Sequence, residues 1–157
     1  MVYIKQQDIT YRLANCSDCK DVYTWENDSA TRANSKNIDQ FTYSSHVAWF
    51  KKSLVNDKRC LYIAIKNVQR VALIRFDQLG QGVYESSLIL NPIIRGKGIS
   101  SQILQGSMSL FLEGRYGVAT LKASIKNTNL ASKKCFSKCG FILNHVDDEY
   151  SYYNYFS

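Results

Sequence analysis

The stretch Leu88-Ile-Leu-Asn-Pro-Ile-Ile-Arg95-Gly-Lys-Gly-Ile-Ser100 holds the residues best suited to bind an anion. An apolar β-type run, Leu88, Ile89 and Leu90, stops at Asn91-Pro92. A short turn then leads into Arg95-Gly96-Lys97-Gly98, and a long helical pattern opens at Ile99 and Ser100. The first N–H groups of a helix have no intrahelical acceptor, and the positive end of its dipole adds to their pull on an anion. Two glycines let a phosphate approach the main chain closely, so the expected ligand is a phosphate or pyrophosphate. The cysteines point elsewhere. Cys16-Ser-Asp-Cys19 has zinc-like spacing, but Cys135 and Cys139 lie four apart on a helical stretch and no histidine follows at ligand spacing. Ordinary reduced thiols, with no metal, are the expectation.

The elements that must position this loop are legible from periodicity. Ile9 to Ala14 reads as a first strand, and Ser17-Asp18 as the cap of a helix from Cys19 to Trp25. Glu26 to Asn37 is polar and reads as a loop, either a solvated linker or a binding loop. Ser44 or Ser45 is expected to cap a second helix through Leu54. Three strand-like runs follow, Cys60 to Ile65, Arg70 to Phe76 and Val83 to Leu90, separated by short polar or glycine-rich gaps that imply antiparallel hairpins. The helix after the glycine turn runs to near Gly114. A strand over Val118 to Ile125, a helix over Asn129 to Cys139 closed by Gly140, and strands Phe141 to Val146 and Tyr150 to Phe156 complete the chain. The fold class expected is α+β, an α/β sandwich.

Composition bounds the partners. The chain has 157 residues, 45% of them apolar, with one proline, which predicts a folded single domain spanning 1–157 rather than disorder. No apolar run is long enough to span a bilayer, and Met1 to Asp8 lacks the order of a signal peptide, so a cytoplasmic location and no membrane partner are expected. A formal charge of +7 favours an anionic partner, but the basic residues are dispersed and no nucleic-acid-binding signature is present. A phosphorylated small molecule is the reading preferred over nucleic acid.

Two blocks now carry a family resemblance. Arg95-Gly-Lys-Gly98-Ile-Ser100 is similar to the Arg/Gln-x-x-Gly-x-Gly/Ala signature of the GNAT superfamily of acyl-CoA-dependent N-acetyltransferases, with Ser100 departing at its last position. Ala123-Ser-Ile-Lys-Asn-Thr-Asn129-Leu-Ala-Ser132-Lys-Lys-Cys-Phe136-Ser-Lys-Cys-Gly140-Phe141 resembles the family's second block. The resemblance implies a mixed, mostly antiparallel sheet of about seven strands flanked by about four helices, with a splayed strand pair at the acyl-CoA site. It implies acetyl-CoA as co-substrate, with pantetheine lying between the Leu88–Leu90 strand and the Ala123–Ile125 strand. The N–H groups of Arg95, Gly96, Lys97, Gly98, Ile99 and Ser100 would hold the pyrophosphate, and Asn129 and Ser132 the remaining arm. A surface role for Arg95 and a helix-capping role for Asn129 and Ser132 stand beside these. Many members carry a tyrosine where this chain has Phe136, which cannot donate a proton to the departing thiolate. Phe136 either contacts the cofactor or fills the core, and water or a C-terminal tyrosine such as Tyr153 would take the acid's place.

Direct transfer needs a deprotonated amine aimed at a polarised thioester carbonyl. Glu85, on the strand leading into the donor site, is the best-placed base, with Glu26, Asp28 and His46 as runners-up. A looser resemblance links Trp25-Glu-Asn27-Asp, Trp49-Phe and Arg75-Phe to the enzymes that acetylate nucleotide-linked amino-deoxysugars on the route to pseudaminic- or legionaminic-type acids. By it Trp25, Asn27, Trp49 and Arg75 would line the acceptor side, although both tryptophans equally suit helix anchoring. The alternatives are a protein N-terminal or lysine acetyltransferase, and a non-catalytic acyl-CoA-binding module suggested by Phe136. The partner expected is a small-molecule amine, and the chain a monomer or homodimer.

Overall fold

The computed structural model describes residues 8–157. One seven-stranded sheet runs through it in the order β1-β2-β3-β4-β5-β7-β6. Its strands are β1 (Ile9–Leu13), β2 (Arg59–Lys66), β3 (Gln69–Gly80), β4 (Val83–Leu90), β5 (Thr120–Lys126), β6 (Ile142–Val146) and β7 (Tyr150–Phe156). Every neighbouring pair is antiparallel except β4 with β5. The helices are α1 (Cys19–Glu26), α2 (Ser29–Ala33), α3 (Tyr43–Leu54), α4 (Ser100–Leu112) and α5 (Leu130–Lys138). This is the expected GNAT-type α/β architecture, with five α-helices in place of about four.

The extra helix falls in the segment expected to be a loop. Asp28 nucleates it, because its carboxylate accepts from the N–H groups of both Ala30 and Thr31 and so satisfies two of the first-turn donors. Two other caps also differ from the sequence reading. Thr42, rather than Ser44 or Ser45, caps α3 by accepting from Ser45 N–H. Asp18 makes no cap bond to α1. Its carboxylate is fully buried and instead receives Arg12 through two bonds of 2.7 Å, with Arg70 Nε 2.8 Å away.

Alternation along the central strands sends side chains to two cores. On one face, Leu61, Ile63 and Leu73 pack with Val22 and Trp25 of α1 and Phe50 of α3. On the other, Ile74, Phe76, Leu121 and Ala123 pack against Ile103, Leu104, Met108 and Phe111 of α4 and Phe136 of α5. Phe76 and Phe111 stack with ring centroids 4.2 Å apart. α4 comes close to β1 at Gly106, where an added Cβ would collide with the buried ring and hydroxyl of Tyr11. Tyr11 cannot swing away easily, since it is fully buried and its hydroxyl donates to Gln102 O at 3.1 Å. Gly106→Ala is therefore expected to destabilise the fold by about 1–3 kcal/mol, the usual range for overpacking, measured as a fall in the urea midpoint at unchanged slope.

One interruption of the sheet positions everything that follows. β4 and β5 pair only at Val83–Thr120, Tyr84–Leu121 and Glu85–Lys122. Beyond that rung β4 continues to Leu90 held by β3, while β5 continues to Lys126 held by β7. Each strand follows its other neighbour, so the two part and leave a V whose vertex is at Glu85 and Lys122. The facing edges of 86–90 and 123–126 keep main-chain donors and acceptors that the ladder does not use.

Candidate active site

A cleft of about 1070 Å³ lies across the V. Its walls come from β3, β4, β5, the loop after β4, the start of α5, the end of α1, α2 and α3. Of the residues expected to bind the donor, Leu88, Ile89, Leu90, Arg95, Gly96, Gly98, Ile99, Ser100, Asn129, Ser132 and Phe136 line it. Lys97 does not, and its side chain is exposed.

The loop has the local geometry a phosphate needs. Gly96 and Gly98 sit at φ +74° and +72°, the left-handed region that glycine enters freely, and the space where a side chain would stand is open at both. Ile99 at the N-cap of α4 supplies no side-chain cap, so the first-turn N–H groups of this 13-residue helix keep their capacity to bind an anion. The Arg95 side chain is turned to α2, with Nη1 2.8 Å from Asp28 Oδ2 and Nη2 donating to Thr31 Oγ1 at 2.8 Å. Asn129 does cap α5, accepting from Ser132 N–H at 3.2 Å and donating to Ser132 Oγ at 3.0 Å, while both residues border the cleft. Phe136 is buried, packs edge-on against Phe141 at 5.0 Å and still contributes to the cleft wall.

The acceptor side departs further from the sequence reading. Trp25 is buried against Val22, Phe50 and the sheet and lies off the cleft, because it continues the apolar face of α1. Asn27 is off the cleft as well. Its amide donates to Phe41 O at 3.1 Å and Tyr23 Oη at 3.2 Å and accepts from Phe41 N–H at 3.1 Å, which ties the end of α1 to the approach of α3. Tyr153, named as a substitute acid, is buried among the core residues; the C-terminal tyrosine on the cleft is Tyr150. Trp49 and Arg75 do line it, with the guanidinium groups of Arg59 and Arg75 lying 5.4 and 5.8 Å from the Trp49 ring. Arg75 Nε is 3.0 Å from Asp77 Oδ2, an ion-pair contact without hydrogen-bond alignment.

Glu85, Ser87 and Ile89 share the face of β4 turned to α1 and α3, whereas Tyr84, Ser86, Leu88 and Leu90 share the face turned to α4. Glu85 therefore stands at the vertex on the same side as Arg75 and Asp77, opposite Asp77 in the ladder. Glu26 and His46 complete this wall. Glu26 is buried, and desolvation pushes its carboxyl pKa up against the opposing pull of Arg75, Arg32 and Arg59. His46 is held neutral near pH 7, since burial lowers its pKa more than its bond to Cys19 raises it. Its Nε2–H is given to Cys19 O at 3.0 Å, which leaves the Nδ1 lone pair facing Glu26 Oε2 at 3.7 Å.

A carboxyl whose folded pKa lies above its unfolded value loses stability as pH rises through the folded value. Glu26→Gln is thus expected to leave Tm unchanged or raise it at pH 8, with the difference from the parent shrinking as pH falls and Glu26 protonates. Thermal unfolding across pH 4 to 8 tests this, and a Tm that falls equally at every pH overturns it.

Sequence reasoning missed Asp77 and Ser86 on this cleft. Asp77 lies in the part of β3 that runs past the expected end at Phe76. Ser86 was findable, as a polar residue in phase with Tyr84, Leu88 and Leu90. Among the described residues no group of three or more His, Cys, Asp or Glu is placed to hold a metal ion.

A parted strand pair here leads into a glycine loop and a helix N-terminus without a side-chain cap, on a mostly antiparallel seven-stranded sheet. The comparisons agree: residues 8–142 match the acetyltransferase (GNAT) domain family. A Bacillus subtilis protein described as putative phosphinothricin acetyltransferase YwnH is 30% identical over 140 residues, covering 85% of this chain and 83% of the relative. The chain belongs to the GNAT acetyltransferases and is an acetyl-CoA-dependent enzyme. Solved structures share the fold at low identity. The spermidine N-acetyltransferase of Vibrio cholerae in complex with CoA and spermine superposes with a TM-score of 0.83 at 10% identity, covering 96% of each chain. The N-acetyltransferase PseH of Campylobacter jejuni gives 0.71 at 16% identity, covering 94% of this chain and 97% of its own.

Proposed function

We propose that this enzyme transfers the acetyl group of acetyl-CoA directly to a primary amine of a small molecule that also carries a negative charge, with a nucleotide-linked amino-deoxysugar as the acceptor. The observation that carries the reading is Arg75. Its guanidinium is set in the acceptor wall with Nε outside any aligned hydrogen bond, beside Trp49, whose ring suits a sugar or base. The surrounding charge supports it, since the cleft is lined by Arg32, Lys36, Arg75, Arg95 and Lys126 against Glu26, Asp77 and Glu85. That excess favours an anionic group over the cleft as a whole, and Arg75 is a cation of the acceptor wall itself. The likeness to PseH adds the fold of an N-acetyltransferase, and the relative described as a phosphinothricin acetyltransferase adds a second kind of anionic amine.

Glu85 serves as the base. It takes the proton of the attacking amine at the vertex, directly or through one water, while main-chain N–H groups of the β4 edge polarise the thioester carbonyl. Thiol release measured over an amine panel tests the acceptor class. Turnover is expected with a nucleotide-linked amino-deoxysugar and weaker turnover with phosphinothricin. Efficient acetylation of spermidine or peptides, with none of the anionic amines, overturns it.

A further inference from the structure

Ser86 is the residue after the last paired rung of β4, at the vertex of the V. The residue is 4% exposed, it borders the cleft, and its hydroxyl has no hydrogen-bond partner. That is an anomaly in an otherwise apolar surface. Ser86 faces Phe76 across the ladder and shares its side of β4 with Tyr84, Leu88 and Leu90, the side turned to α4 and α5. Burying a hydroxyl without a partner costs stability, and an alanine would fit the same position without that loss. A buried polar atom kept without a partner in a residue that borders a substrate cleft points to a partner that arrives with the ligand.

The donor's dimensions identify which atom that is. The pyrophosphate loop lies at the open end of the V, beyond Leu90, and Ser86 lies at its closed end. At ~3.3 Å per residue the span from Leu90 back to Ser86 is about 13 Å, a reach comparable with an extended pantetheine arm. The unpaired edges of 86–90 and 123–126 offer main-chain partners to its amides along the way. We propose that the Ser86 hydroxyl donates a hydrogen bond to the sulfur of the donor and stabilises the thiolate as it leaves. This rests on the donor site described above and not on the identity of the acceptor. It supplies what Phe136 lacks, on the same face of the sheet: both residues border the cleft from the α4–α5 side.

The step balances without a proton from serine. The amine nitrogen forms the new bond to the acetyl carbon, the carbon–sulfur bond breaks, and its electron pair goes to sulfur. The proton lost by nitrogen passes to Glu85. A thiol of ordinary pKa about 8.5 leaves as thiolate against a far less acidic hydroxyl, so Ser86 keeps its proton and shares it through the hydrogen bond. The thiolate takes up a proton from water on release. Glu85, Asp77, Arg75 and Lys122, the charged groups nearest Ser86 in the two ladders, alternate with residues of the α4-side core and so project from the opposite face, which leaves the hydroxyl to meet sulfur from the Phe136 side.

The test reads the thiol itself and needs no acceptor. In the complex with CoA, the thiol pKa is measured from thiolate ultraviolet absorbance for the parent, Ser86→Ala and Ser86→Thr, alongside CoA affinity by calorimetry. The expected result is a thiol pKa about one unit higher in Ser86→Ala, a change of about tenfold in the thiol ionisation constant, at closely similar CoA affinity and with Tm not lowered. Ser86→Thr, which keeps the hydroxyl, restores the parent value. With any accepted amine, kcat of Ser86→Ala falls about 10- to 100-fold while KM for acetyl-CoA holds. Equal thiol pKa values in all three proteins overturn the inference while leaving the donor site intact. Failure of the parent to bind CoA overturns the donor site and the inference together.

Discussion

Glu85→Gln is expected to lower kcat by about 10²- to 10³-fold at pH 7 and to leave CoA affinity unchanged. The magnitude is that of a positioned general base, which contributes about 10²–10⁴. Glutamine keeps the shape and removes only the ability to take a proton, so the loss belongs to the chemical step. An amine is mostly ammonium near neutrality, and the base matters because the attacking nitrogen must shed a proton. The deficit should therefore shrink as pH rises towards the pKa of the acceptor amine. The measurement is the pH–rate profile of both proteins with one accepted amine. A parallel profile, low at every pH, would remove Glu85 from proton transfer. The base would then be sought in Glu26, which lines the same wall and whose carboxyl is already pushed up by burial. Glu26→Gln in the same assay separates the two, since only one of these substitutions should flatten the acid limb.

Gly98→Asp is expected to weaken CoA binding about 100-fold or more while the fold survives. Two effects add. Gly98 sits at φ +72°, where a residue with a Cβ carries strain of roughly 1–2 kcal/mol. The new carboxylate also faces the pyrophosphate across the first turn of α4, where like charges a few ångströms apart repel by several kcal/mol before screening. Gly98→Ala isolates the first effect, because nothing stands within 4 Å of the added Cβ. Alanine should weaken binding by no more than about tenfold, and raising the salt concentration should recover part of the loss in Asp but not in Ala. Calorimetric titration of CoA reads all three. Equal affinity of parent and Gly98→Asp would move the pyrophosphate away from this loop.

The residues expected on the donor side border one cleft largely because they are close in sequence. Arg95 to Ser100 forms one turn whose chemistry is set by neighbours within a few residues, and Asn129 with Ser132 is both a capping pair and part of the cleft wall for the same local reason. The β2-β3-β4 meander and the β6-β7 pair also followed from short gaps between apolar runs, since a hairpin turn leaves its strands few alternatives. α2 was not legible as a helix, because its five residues bury nothing and its stability comes from Asp28, Arg95 and Lys126, the last donating to Ala33 O at 2.9 Å. Asp28 is one of the runner-up bases. It is engaged by Arg95, and although desolvation raises its pKa, that bond and the N–H groups of Thr31 and Ala30 leave it lowered.

By itself the sequence determined the glycine turn that opens α4, the run of strands and helices and hence the acetyltransferase family, since each depends on spacing along the chain. Periodicity also placed Trp25 with Val22 on one helical face, but it does not say whether that face meets a core or a cleft. Tertiary structure made that decision: it sent Trp25 inward and left Trp49 at the wall. It also gathered Glu26, His46, Arg75, Asp77 and Glu85 from two helices and two strands into one surface. Above all it parted β4 from β5 after Glu85, because β3 and β7 hold the two strands in diverging ladders. That divergence leaves Ser86, in the sequence one more strand residue, as a buried hydroxyl without a hydrogen-bond partner at the vertex of the cleft.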